Sequence, residues 1–130
     1  MILVLDTSIL IDIQKNDKKT IEILRKISKE HPYPAKITVF SNFEFQTGIL
    51  DKTPKNVSKL KEFLLNFDML HTTNKSPEIL AELKHKYSKK GQLIPLIDLF
   101  IAGIVIENNL TLITKDKDFE KIKELKKIMI

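Results

Sequence analysis

Five acidic residues of this chain interrupt or closely follow apolar runs, where a carboxylate needs a reason. Asp98 is the one charged residue in "LIPLIDLFIAGIVI", Leu93 to Ile106, and an unpaired buried charge costs several kcal/mol or takes up a proton. Asp6 directly follows the apolar run "ILVL", and Glu44 lies one turn beyond "ITVF". Asp116 and Asp118 follow "LTLIT" within "LITKDKDF". Each has an ordinary structural use. Asp6, with Thr7 and Ser8, suits a helix cap. Ser41-x-x-Glu44 reads as a capping box. Asp98 in a first helical turn complements the helix dipole, and two aspartates in a lysine-rich turn are commonly solvated. Taken together these uses lose force, because three of the sites follow strands and the fourth begins a helix that can face the same rim. Clustered carboxylates repel and hold protons unless a cation sits among them. Oxygen ligands alone, without histidine or cysteine, suit a hard ion, Mg²⁺ or Mn²⁺.

The elements that would carry these residues alternate. "MILVLD" is a short apolar run without alternation, the pattern of a strand buried on both faces. A helical stretch follows, with Leu10, Ile21, Leu24 and Ile27 inward. Ala35–Phe40, "AKITVF", is a second strand after the "HPYP" breaker, and Ser41 opens the next helix. Thr53-Pro54 reads as N-cap and first position of a helix bearing Val57, Leu60, Phe63, Leu64 and Phe67. "DMLHT" is a third strand. Ser76-Pro77 starts a helix carrying Ile79, Leu80, Leu83 and a core Tyr87, closed by Gly91. Pro95 opens the Asp98 segment, "LTLIT" is a fourth strand, and "KIMI" a fifth. This alternation predicts an α/β fold with a mostly parallel, four- to five-stranded sheet flanked by helices, in one domain over residues 1–130. Such sheets bind ligands beyond the carboxyl ends of their strands.

Composition narrows the choice further. The net charge of +5, with Arg25 the sole arginine, favours an anionic partner met by lysines. There are no cysteines, which suits an intracellular, cytoplasmic setting. The N-terminus lacks the pattern of a signal peptide, and no apolar run is long enough to span a bilayer. With only Gly48, Gly91 and Gly103 available, neither a phosphate loop nor a dinucleotide fingerprint can be written. His31, His71 and His85 lack zinc-ligand spacing. A haloacid-dehalogenase-like site needs a second Asp where Ser8 stands.

The blocks "VLDTSILID", "ITVFSNFEF" and "PLIDLFIAGIVIENNLTLITKDKDFEKI" resemble, in order and spacing, the PIN-domain ribonucleases, closest to VapC-type toxins of toxin–antitoxin pairs. The resemblance spans essentially the whole chain. The "DTS" stands where many members have Asp-Thr-Asn, and Gly103 where a second alanine is common. It implies a metal-dependent endoribonuclease whose acidic cluster is Asp6, Glu44, Asp98 and Asp116, with Asp118 the alternative fourth acid. Asp6 and Asp98 would bind the ion directly. Glu44 would ligate or orient water, and Asp116 would hold a second ion directly or through water. Thr7, Ser8 and Thr114 would hold the carboxylate rotamers. Lys115 and Lys117 are the expected RNA contacts, beside a basic "KHKYSKK" segment, while Asp12 is expected to be a solvated helix residue. The implied partners are RNA, a cognate antitoxin and a second copy in a homodimer, with an apolar patch around Ile9, Leu10 and the helices near Leu50–Phe67 as the expected protein-binding surface. A PIN-like binding domain without catalysis and an RNA-processing nuclease outside a toxin pair are the alternatives. A purely binding protein gains nothing from four carboxylates near RNA phosphates, and the short chain without appended domains favours the toxin.

Overall fold

The computed structural model describes residues 2–130. Five short strands, β1 (Leu3–Leu5), β2 (Lys36–Thr38), β3 (Asp68–Leu70), β4 (Thr111–Thr114) and β5 (Lys127–Met129), pair in parallel in the order β3-β2-β1-β4-β5. Six helices, α1 (Thr7–Gln14), α2 (Lys18–Ser28), α3 (Val39–Ile49), α4 (Pro54–Leu64), α5 (Ser76–Lys89) and α6 (Leu96–Glu107), connect them, with a 3₁₀ turn at Lys117–Lys121 before β5. No helix among the described residues is long and apolar enough to cross a membrane.

The alternation of side chains along a strand divides the core in two. Val4 and Leu112 point to a layer built by α5, α6 and the 3₁₀ turn, where Leu83, Tyr87, Leu99, Ile101 and Phe119 are buried. Leu3, Leu5, Ile37 and Ile113 point to the other layer, against Ile9, Leu10, Phe45, Leu60 and Leu64. Both faces are therefore covered, which is why β1 and β4 read as unbroken apolar runs. Gly103 lets α6 approach α5 closely, since a Cβ there would overlap Leu80 Cδ2. Gly91, at φ +68°, closes α5 in the left-handed region while the Gln92 N–H donates to the Tyr87 carbonyl. Tyr87 packs in the core and its hydroxyl donates to Glu124 Oε1 at 2.6 Å.

Several local expectations change. The helical stretch after Asp6 is two helices, broken where Asn16 takes φ +58°. The second strand ends at Thr38 rather than Phe40. Thr38 Oγ1 accepts the Ser41 N–H at 3.0 Å, so Thr38 is the N-cap and Val39 and Phe40 already lie in α3. The Ser41/Glu44 capping box is thereby displaced: Ser41 is buried inside the helix, and Glu44 sits too deep in α3 to cap it. Ile9 and Leu10 are fully buried, so the expected partner patch excludes them, whereas Leu50 and Leu65 of the same region are exposed.

Candidate active site

The strand order reverses between β1 and β4, because β1 leads outward through β2 while β4 lies on its other side. At such a switch point the connections diverge and leave a crevice at the strands' carboxyl ends. In-register pairing, Leu5 with Ile113, brings the residues after both strands side by side there. Asp6 occupies the N-cap position of α1, yet its side chain makes no cap bond. Instead Asp6 Oδ2 accepts from Thr114 Oγ1 at 2.8 Å and from Ser8 Oγ at 3.1 Å. Burial raises the Asp6 pKa; the hydrogen bonds from Thr114, the Thr7 backbone and Ser8 offset part of that, and the Asp116 charge adds to it.

Glu44 comes from α3 on the other side, where Thr7 Oγ1 donates to its Oε1 at 2.6 Å. Asp98 enters from the first turn of α6, placed by Pro95 as N-cap. It is 6% exposed, and among the described residues no hydrogen bond or ion pair reaches its carboxylate. One oxygen each of Asp98, Asp116 and Asp118 lie within 4.8 Å of one another. Burial first, and then the charges of Asp116, Asp6, Glu44 and Asp118, push Asp98 up to about 7. Asp6 and Glu44 are thus felt by Asp98, although they stand outside the tight group of three.

Asp116 and Asp118, written as alternatives in the sequence, converge on Asp98 together. Asp116 caps the 3₁₀ turn, its Oδ1 accepting the Asp118 N–H at 2.9 Å, and Asp118 Oδ1 accepts from Lys121 Nζ at 3.1 Å. Thr114 joins the two sides of the crevice, since its hydroxyl donates to Asp6 and accepts the Asp116 N–H at 3.0 Å. Lys117 is exposed. Lys115 is exposed too, but its ammonium is paired, 2.7 Å from Asp12 Oδ2. Asp12, expected to be solvated, has a side chain only 14% exposed and also accepts from Thr20 Oγ1 at 2.6 Å. The signal that could have found it is its spacing, one helical turn from Ser8 on the same face of α1.

A site made of carboxylates without a neutralising partner at its centre fits a hard divalent ion, because the buried Asp98 charge otherwise has nothing to offset it. Thr114→Val tests the frame around it. The valine keeps the shape but leaves a buried carboxylate oxygen and the Asp116 N–H each short of a partner, so the expected cost is about 1–3 kcal/mol in thermal unfolding. Divalent-ion affinity, followed by calorimetry, should fall roughly 10- to 100-fold. Unchanged affinity would separate Thr114 from the acid cluster.

The family model for the PIN domain matches residues 3–125 of the chain. Ribonuclease VapC2 of Rickettsia felis is 29% identical over 127 residues, covering 96% of this chain and 95% of that protein. The crystal structure of VapBC2 from Rickettsia felis, bound to a DNA fragment from the promoter, contains a chain 28% identical with a TM-score of 0.85, covering 100% of this chain and 99% of that one. VapBC-5 of Mycobacterium tuberculosis, a member of the VapBC family of toxin–antitoxin systems, is similar in fold, with 22% identity, a TM-score of 0.70 and coverage of 98% and 97%.

Proposed function

The chain belongs to the PIN domain family, and we propose that it is a divalent-metal-dependent endoribonuclease, the toxin of a toxin–antitoxin pair acting in the cytoplasm. One observation carries the catalytic reading: Asp98, a buried carboxylate without a hydrogen-bond or ion-pair partner among the described residues, meets Asp116 and Asp118 at the switch point of a parallel sheet. The likeness to Ribonuclease VapC2 supports RNA as the substrate, and the likeness to VapBC2 supports an antitoxin partner.

Asp98, Asp6, Asp116 and Asp118 would hold Mg²⁺ or Mn²⁺, with Glu44 at the edge of the group. When bound, such an ion lowers the pKa of a water and offsets charge on the phosphate. Asp6 is held by the Ser8 and Thr114 hydroxyls, which both donate to its Oδ2 and fix the carboxylate at the end of β1. Glu44, steadied by Thr7, is placed to orient water or accept its proton. Lys117 lies beside the acidic turn and draws the RNA backbone electrostatically. Leu50, Leu65 and Phe43 form exposed apolar surface for the antitoxin or a second copy of the chain.

A mixed pool of tRNA and rRNA, incubated with Mg²⁺, with Mn²⁺ or with EDTA, tests this reading when wild type and Asp6→Ala are compared after any bound antitoxin has been stripped. Discrete fragments that require metal and vanish in the variant are expected. Intact RNA with both ions, while the protein still binds RNA, would make the fold a binding module instead.

A further inference from the structure

Three hydrogen bonds fasten the turn after β4 to the opposite wall of the crevice, and the proposed metal chemistry accounts for only one of them. Thr114 reaches Asp6 directly. The Lys115 N–H donates to Ser8 Oγ at 3.3 Å, and Ser8 in turn donates to Asp6. The Lys115 ammonium then turns back along α1 to Asp12, at 2.7 Å, although 103 residues separate the two in sequence. Ser8 and Asp12 stand one turn apart on α1, so this face grips Lys115 by both its backbone and its side chain. Asp12 is itself held: Thr20, buried in α2, donates to the same oxygen, and the Asp17 N–H donates to the Asp12 carbonyl at 2.9 Å.

We infer that Asp12 and Lys115 are positioning residues for the metal site: the pair clamps the Thr114–Asp116 turn against α1 and so sets the placement of Asp116 and Asp118 relative to Asp98 and Asp6. This rests on the nuclease reading above, and it reassigns Lys115. A lysine whose charge is answered by a carboxylate only 14% exposed is a poor grip for a passing phosphate, whereas Lys117, one residue past Asp116, is exposed and makes no side-chain hydrogen bond or ion pair among the described residues. The chemistry agrees with the geometry. Lys115 and Thr20 both donate to Asp12 Oδ2, so the carboxylate is answered by an ammonium on one side and a hydroxyl on the other. The other charges facing the pair, Lys15 and Asp17, are of opposite sign to each other and leave the Asp12–Lys115 contact dominant.

Mn²⁺ binding measured by titration calorimetry without RNA is the test, on wild type, Asp12→Ala, Asp12→Asn, Asp12→Glu, Lys115→Met and the Asp12→Ala/Lys115→Met double variant. Both Asp12→Ala and Lys115→Met should raise the Mn²⁺ dissociation constant about tenfold, the low end for an outer-shell partner. The double variant should be no weaker than either single one, because the two residues act as a unit. Asp12→Glu, which restores a carboxylate, should recover most of the affinity, and Asp12→Asn guards against misfolding of the alanine variant. RNA binding in EDTA should keep its salt dependence in Lys115→Met. If that variant instead binds Mn²⁺ normally and its salt slope falls by about 1, Lys115 is a phosphate contact and the inference is wrong. Melting points that drop across the Asp12 variants with Mn²⁺ affinity intact would make the pair merely structural, and also overturn it. Wild type that binds no Mn²⁺ would remove the nuclease reading and this inference together; wild type that binds Mn²⁺ and cuts RNA beside variants of equal affinity would remove this inference alone.

Discussion

Asp98→Asn is expected to lose RNA cleavage by more than the roughly 100-fold that a missing outer partner costs, while its metal-free form melts higher than wild type. The two effects share one cause. Asp98 is buried without a partner and faces four other carboxylates, so the ionised form needed to bind a cation is the form the empty fold tolerates least. Carrying a carboxyl from 3.8 to about 7 corresponds to roughly 4 kcal/mol once it is fully ionised. That is an upper bound, since water entering the crevice screens the charge. The amide keeps the shape and removes the charge. At about 3–5 °C per kcal/mol for a domain of this size, a rise of several degrees should appear in calorimetry above neutral pH. Cleavage assays on the same preparation complete the test. A variant that unfolds while activity per folded molecule stays constant would make Asp98 a structural residue.

Added divalent ion should stabilise the wild type strongly above neutral pH and weakly in mild acid. For a carboxyl whose folded pKa is raised, the native state keeps its proton while the unfolded chain ionises. Metal-free stability therefore falls as pH climbs from about 4 to about 7, then levels off. Metal binding reverses the penalty but must first displace that proton. Mn²⁺ at about 100 times its dissociation constant near pH 8 contributes about 2.7 kcal/mol, or roughly 10 °C. At about pH 5.5 protons on Asp98 weaken binding roughly 30-fold, and the same ion concentration leaves less than about 1 kcal/mol. The raised pKa of Asp6 acts in the same direction. Melting curves at both pH values, with Mn²⁺ and with EDTA, decide the matter. A metal shift of equal size at both would mean the ion binds elsewhere. In Asp98→Asn the shift should largely vanish.

Many site residues were legible because their signals are local. A carboxylate directly after an apolar strand, or alone in an apolar helix, shows itself by contrast with its neighbours, which is how Asp6, Asp98 and the Asp116/Asp118 turn stood out. Glu44 was found through the wrong local role. Its spacing from Ser41 matches a capping box, but Thr38 takes the cap three residues earlier, and Glu44 is left to meet Thr7. Asp12, flanked by Ile11 and Ile13, reads as a solvated helix residue because nothing local in the sequence announces the groups that hold it. Its partners, Thr20 and Lys115, lie across a helix break and at the far end of the chain.

By itself the sequence determined the series of elements, the absence of thiolate and histidine ligand patterns, and the placing of acids after strands, because hydrophobic period, caps and breakers act over a few residues. The tertiary structure alone decided which strand ends become neighbours. That β4 pairs with β1, joining Thr114 to Asp6 across 108 residues, that Asp116 and Asp118 both reach Asp98, and that Lys115 is clamped rather than free all depend on strand order and helix packing. Those are set by which long-range pairing buries both faces of the sheet, a sum over contacts that no local spacing encodes.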